Sequence, residues 1–416
     1  MDSKYKDFQY FKFCLYGFLK NLKLFDIFFL IFLKSSGLSY LQIGFLYSVR
    51  QITINLLEIP SGLIADIFGR KNAMVFGFIA YLISFLIFYI SVNYTFFIFA
   101  IIAFGVGEAF RSGTHKAMIL DYLKTKNLQN IKTRYYGGTR SWSQFGSAVS
   151  SLIAMTIVII SKDYKNLFLI TMVPYLIDLI NLMTYPAFLN GKKQFKKSSD
   201  WKSELWKEVL QTWHEFIDLF KSKVTLKAMF SASSYIAIFK FAKDYLQPIL
   251  EITVTSIPVL LAYQQNQRTA VIIGVTYFII YLLTSTASKN AWRIEQMLKN
   301  LTPAINYTYL AGIGMLGFSG LFLYFDKPVV AVLFFTGIYI FQNIRRTLII
   351  SYLSDLIGPR VMASGLSAES QLQTILIVIF APVLGWIADS AGIAYGLMIT
   401  SLIFVLIFPL LKLSKT

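Results

Sequence analysis

Gly62–Leu63–Ile64–Ala65–Asp66–Ile67–Phe68–Gly69–Arg70–Lys71 lies between two long apolar runs. A glycine able to end a helix, an acid and a Gly-Arg-Lys turn fall within this one stretch. Ionised groups wedged between two membrane-length helices are costly in hydrocarbon, so each needs a partner or an aqueous interface. The stretch therefore reads as a tight charged turn joining two membrane-spanning helices, and the rest of the chain bears on that reading.

Of the 416 residues 56% are hydrophobic and only 14% charged, against about 25% charged in a soluble protein. The apolar residues come in runs of roughly twenty, enough for a helix to cross a ~30 Å hydrocarbon core. The alternating ten-residue segments of a membrane β-barrel are absent. The class is an all-α integral membrane protein. Twelve spans are expected, at Phe8 to Leu33, Ser39 to Ala65, Asn72 to Ser91, Tyr94 to Leu123, Gly138 to Ile160 and Asn166 to Leu189, then Val224 to Ile249, Thr269 to Ser288, Thr302 to Phe325, Pro328 to Leu356, Val361 to Ala388 and Ile393 to Leu411. Pro248, Pro258 and the polar run Tyr263 to Arg268 interrupt the pattern after the seventh, where a re-entrant segment is the alternative.

The net charge of +18 is not a nucleic-acid signature, because Lys and Arg gather in every second loop. Lys4, Lys6, Lys12, Arg70, Lys71, Lys124 to Arg140, Lys192 to Lys223, Lys289 to Lys299, Lys412 and Lys415 fall on one side. The opposite loops hold few cations, such as Lys34, Lys162, Lys165 and Lys327. This asymmetry is the positive-inside rule and places both termini in the cytoplasm. A lone Cys14 excludes an intrachain disulfide. The first apolar stretch carries Lys20, Lys23 and Asp26 and lacks a small-residue cleavage site, so it is not read as a signal peptide. A multi-pass protein of the plasma membrane follows, and the Lys-, Ile- and Phe-rich usage points to a bacterial inner membrane.

The interval after the sixth span divides the chain into residues 1–190, a linker at 191–223 and residues 224–416. Within the linker, Leu205, Val209, Trp213, Phe216 and Leu219 or Phe220 fall on one stripe, an amphipathic helix suited to the membrane surface. The two parts share a faint repeat. Arg111 precedes Asp121 as Arg345 precedes Asp355, and Lys23 with Asp26 is echoed by Lys243 with Asp244. Arg134 and Arg360 are each followed at the same distance by a serine, Ser141 and Ser367. Such symmetry fits a carrier of two six-helix halves with its site between them.

Charges inside the spans must face a water-filled cavity, a partner or the interface. They are Lys20, Lys23, Asp26, Arg50, Glu58, Glu108, Arg111, His115, Lys116, Asp178, Lys240, Lys243, Asp244, Arg345, Arg346 and Glu369. Glu108, Arg111 and His115 are spaced to share one helix face, and Lys240 and Asp244 to pair within a helix. Either these clusters are neutralised internally or they serve as substrate and proton ligands. His115 would titrate near neutral pH. The candidate cavity set is Lys23, Asp26, Glu108, Arg111, His115, Lys240, Lys243, Asp244, Arg345 and Arg346. Its cations outnumber its acids, which would repel a cationic substrate and favour an organic anion.

The opening stretch resembles the loop between the second and third helices of major facilitator superfamily transporters, whose pattern is G-x-x-x-D-x-x-G-R-K. Gly62, Asp66, Gly69, Arg70 and Lys71 carry the match. The run Glu58–Ile59–Pro60–Ser61–Gly62, with Gly105, Ala109–Phe110, Ser112–Gly113, Ala117 and Asp121, is similar to poorly characterised bacterial members. The resemblance implies two six-helix halves whose first, fourth, seventh and tenth helices line a central cavity. It also implies a gating set in which Arg70 pairs with Asp121 while Asp66 meets the first turn of the eleventh helix, near Met362 to Ser364. An acid there complements the helix dipole.

Drug–proton antiporters of the superfamily carry an Arg before a mid-helix Gly of the fourth helix, whereas Ile101 to Phe104 precede Gly105 here. Gly146–Ser147–Ala148–Val149 stands where their Gly-Pro pattern would be. Lys289 to Leu301 lacks the loop motif, while Gly385–Trp386–Ile387–Ala388–Asp389 echoes it after the eleventh span.

With two His residues and no H-E-x-x-H, nucleophile elbow or phosphate-binding loop, no enzyme, metal or cofactor is expected. The expectation is a monomeric secondary active transporter that moves a small solute by alternating access, coupled to protons. A ligand-binding sensor or assembly subunit is the alternative.

Overall fold

The computed structural model describes residues 7–112, 114–128, 131–190, 206, 210, 222–256, 261–298, 300–357 and 362–413. Among them every regular element is helical. Nine helices of the described residues are long and apolar enough to cross a membrane. The other three of the twelve spans explain the difference. The second, Tyr40–Phe68, carries Arg50, Glu58 and Asp66, and the first and seventh are broken into shorter pieces.

The first span is not the expected single helix. It runs Phe8–Lys20, turns through Asn21, makes one 3-10 turn at Asp26–Phe28 and resumes at Phe29–Ser35. Asn21 ends the first piece, its side-chain amide donating to the Gly17 carbonyl at 2.7 Å. The seventh span breaks likewise, as Lys223–Ala242, a 3-10 turn at Lys243–Tyr245 and Leu246–Ser256. The fourth divides into Tyr94–Arg111 and Thr114–Thr125, with Ser112 extended at ψ 128°. The fifth begins earlier than expected, at Lys132–Ser161, which adds residues 132–137 to the helix. The polar run before the eighth is the opening of Gln265–Lys289, capped reciprocally by Gln264 and Gln267. Residues 257–260 lie outside the described set, as does most of the expected linker helix, of which Trp206 and Leu210 are helical.

Two compact units emerge, Met1–Phe28 with Val49–Trp206, and Phe29–Ser48 with Lys207–Thr416. The short exchanged segment Phe29–Ser48 is the end of the first span and the start of the second. Lipid offers no hydrophobic drive between helices, so each unit depends on close packing and interhelical hydrogen bonds. In the first, Ser84 donates to the Ala100 carbonyl at 2.7 Å and Ser61 to the Ala109 carbonyl at 3.0 Å. Rings of Tyr81, Phe85, Phe104 and Tyr175 interlock between these helices. In the second unit Ser319 and Ser401 bond the Ala331 and Ile313 carbonyls at 2.9 and 2.8 Å. Phe96, Phe99, Leu402 and Leu406 remain exposed, as lipid-facing residues should.

Candidate functional site

The break in the first span sets Lys23 beside the fourth. Its Nζ donates to Glu108 Oε1 at 2.7 Å and lies 4.8 Å from the centre of the Phe104 ring. Arg111 takes Glu108 Oε2 and donates through Nε to the Tyr81 hydroxyl at 3.1 Å. One carboxylate thus serves two cations. The face expected to carry Glu108, Arg111 and His115 together is interrupted after Arg111, because Ser112 leaves the helix and His115 belongs to the next piece. The His115 ring stacks on Tyr16 with centroids 3.6 Å apart, and its Nε2 is 3.4 Å from the Tyr185 hydroxyl. Asp26 opens the 3-10 turn of the break, half-buried.

Beside this network lies a cavity of about 300 Å³ within the first unit, between the first, fourth and fifth spans. Lys20, Arg111, His115, Lys116 and Arg140 line it, and no carboxylate among the described residues does. Gly17 lets the fifth span approach, since a Cβ there would stand 2.7 Å from Ser143 Oγ. Asp178 is fully buried, with one oxygen accepting from Asn181 at 3.2 Å. Lys20, Lys116 and Arg140 were not among the cavity residues that sequence reasoning selected. Lys20 and Lys116 stand among the charges inside spans, whereas Arg140, at the very start of the expected fifth span, groups with the loop cations.

In the second unit the broken seventh span presents its own pair. Lys243 Nζ reaches Asp244 Oδ1 at 2.6 Å, and the Tyr47 hydroxyl donates to Asp244 Oδ2 at 2.9 Å. The Lys243 carbonyl accepts from Tyr339 at 2.8 Å. Asp244 thus takes Lys243, and Lys240 sits half-buried one turn earlier. Arg346 pairs with Glu369 at 2.6 Å. Arg345 is elsewhere, 2% exposed, with its guanidinium on the Ile305 carbonyl and on Ser231 (2.9 Å to O, 2.8 Å to Oγ). Tyr235 and Tyr309 flank it at 5.2 and 4.9 Å.

The opening motif forms a charged turn. Arg70 reaches Asp121 Oδ2 at 2.5 Å and Asp66 Oδ1 at 3.3 Å. Gly69 has φ 101°, and Asn190 caps the next helix by accepting from the Lys71 amide at 3.0 Å. Lys71 Nζ donates to the Tyr185 carbonyl at 3.1 Å. Gly62 has open space around it. The expected partner of Asp66 is the first helical turn near Met362 to Ser364, whose side chains lie outside what the structure describes. A Cβ at Gly69 would meet Asn190 Nδ2 at 2.6 Å, and an L residue is strained at that φ. Gly69→Ala is therefore expected to cost about 1–3 kcal/mol, read as a lower melting temperature of the purified protein. An unchanged melting temperature would mean that the turn relaxes freely.

The echo of that motif also works on a helix end. Asp389 accepts the backbone N–H groups of Tyr40 and Leu41 at 2.9 and 2.8 Å, capping the second span. Gly385 makes the approach possible, since a Cβ there would lie 2.8 Å from the Leu41 nitrogen. Gly44 does the same one turn on, against Ala381 and Pro382. Gln247 accepts from Leu30 and Ile31 at 2.9 and 3.4 Å, capping the resumed first span. Two acceptors from the seventh and eleventh spans thereby hold the segment Phe29–Ser48.

Broken membrane helices with charge pairs at the breaks define a polytopic carrier. The profile of the Major Facilitator Superfamily matches residues 14–371, and the chain belongs to that superfamily. Solved structures share the fold. The nucleoside transporter NupG is 15% identical over 100% of both chains, with a TM-score of 0.70. A peptide transporter POT mutant in complex with sulfate is 13% identical over 97% of this chain and 95% of its own, with a TM-score of 0.72. A D-xylose-proton symporter is 14% identical over 98% of each, with a TM-score of 0.65. No curated protein matches the sequence. The protein is a multi-pass membrane transporter and not an enzyme.

Proposed function

We propose that the chain is a monomeric, proton-coupled secondary transporter of a small organic anion in a bacterial inner membrane, with both termini cytoplasmic. The observation that carries this reading is the pair of breaks at corresponding places in the two halves, at Lys23 and at Lys243–Asp244. Discontinuous spans in equivalent positions expose backbone groups only where they line a path for solute. Cations exceed acids around the first break, which favours an anion. Glu108, Asp178 and His115 are the groups that would exchange protons. The gating set Gly62, Asp66, Gly69, Arg70, Lys71 and Asp121 would fasten the cytoplasmic side, and the caps on Phe29–Ser48 the opposite side.

Purified protein in liposomes with an imposed pH gradient should accumulate a labelled organic anion, and a protonophore should abolish the accumulation. Binding without accumulation under any gradient would support the sensor reading instead.

The cap also has a measurable weight. Asp389 is exposed, so its charge on the helix end is worth about 1 kcal/mol. Asp389→Asn is expected to shift the conformational balance roughly fivefold toward release of Phe29–Ser48. Faster labelling of a cysteine introduced at Ser48, which is buried, would show it; wild-type labelling would leave Asp389 a purely local cap.

A further inference from the structure

We infer that the cavity in the first unit takes a divalent organic oxyanion, a phosphate monoester or a dicarboxylate, with Lys20 and Arg140 answering its second charge. The inference rests on the anion-transport reading and sharpens it.

Charge around the cavity sets the valence. Lys20, Lys23, Arg111 and Arg140 are four basic groups in or behind its wall, against the two carboxylates Glu108 and Asp178. Glu108 is fully engaged by Lys23 and Arg111. Asp178 offsets part of the Lys20 charge from behind the wall. Lys20 has no carboxylate within ion-pair distance among the described residues; its Nζ lies 6.0 Å from the centre of the Tyr16 ring. Arg140 stands exposed in the lining. A monoanion would leave this surplus largely unanswered. A dianion meets it with one group on Lys20 and Arg140 and a further donor in the Ser143 hydroxyl of the lining.

Size and shape limit the rest of the molecule. A cavity of about 300 Å³ is at the small end of ligand sites, so the solute is compact. Phe13 and the Tyr16–His115 stack offer an aromatic wall for its carbon skeleton.

The test uses full-length protein in nanodiscs, with phenyl phosphate, succinate, benzoate and glucose as probes in a binding titration. Phenyl phosphate, succinate or both should bind at least about tenfold more tightly than benzoate, and glucose should not bind. Raising the salt should weaken dianion binding more than benzoate binding. Lys20→Met and Arg140→Gln should each bring the dianion down to benzoate-like affinity. Arg140→Gln is the safer variant for folding, because its side chain is exposed.

Phosphatidic acid in the nanodisc separates two sources of the same chemistry. Competition with phenyl phosphate would assign the site to a lipid headgroup, and its absence to a free dianion. Equal binding of benzoate, or dianion binding unchanged in both variants, would overturn the inference. Proton-driven flux of a neutral solute would overturn it while leaving the transporter standing. Dianion binding without flux would do the reverse.

Discussion

Glu108→Gln should lower proton-driven flux by at least about a hundredfold while tightening the binding of an anion. Glu108 is the shared counter-ion of Lys23 at the broken first span and Arg111 at the end of the fourth span's first piece. Its neutralisation leaves two cations facing each other, and an uncompensated charge within a span costs at least ~2.5 kcal/mol. An incoming anion relieves that cost, so its bound state gains. Release then becomes the slow step, because no carboxylate remains to reclaim the cations. A merely structural pair would behave differently, losing folded protein and keeping flux per folded molecule. The check is a titration and a flux assay on one preparation. Wild-type flux per molecule would place Glu108 outside the transport path.

Arg345→Ala should destabilise the second unit by about 3 kcal/mol, a loss that appears in the melting temperature before it appears in turnover per folded molecule. Bonds from a charged donor contribute about 1.5–3 kcal/mol, and Arg345 makes them to Ser231 and to the Ile305 carbonyl. Truncation also empties the space between Tyr235 and Tyr309. Relief of the desolvation of a buried guanidinium offsets part of this. For the same reason Arg345→Met, which fills the volume without charge, should cost much less. Loss of flux at an unchanged melting temperature would return Arg345 to the substrate path.

The fate of Arg345 shows where the sequence stops being legible. Its ten-residue spacing from Asp355 matched that of Arg111 and Asp121, so it read as a cavity residue. Its observed acceptors are largely backbone carbonyls on other helices, and carbonyls leave no mark in a sequence. The spans themselves were readable because a run of about twenty apolar residues has few other uses. The Ile393–Leu411 helix and the start of Tyr94–Arg111 were found to the residue.

The breaks were harder to see. Lys23, Asp26, Lys243 and Asp244 stood out as charges, yet hydropathy averages across residues 21–28 and 243–245, which leave the α-helix. Ser112 hid in the same way. The charged turn was legible down to Arg70 with Asp121, since the resemblance supplied the partner. The Asp389 cap was visible as a G-x-x-x-D echo, but its receiving helix end, Tyr40–Leu41, is distant in sequence and unmarked by side-chain chemistry.

Under the proposed function the carrier opens by releasing Phe29–Ser48 from the seventh and eleventh spans that cap it within the second unit. Spin labels at Ser35 and Ala391, both exposed, with the distance between them read by pulsed dipolar spectroscopy, test it most directly. Two distance populations are expected, with the longer one favoured by Asp389→Asn and the balance altered by phenyl phosphate or succinate and by pH. A single distance indifferent to anion, pH and Asp389→Asn, in protein that still transports, would contradict the account.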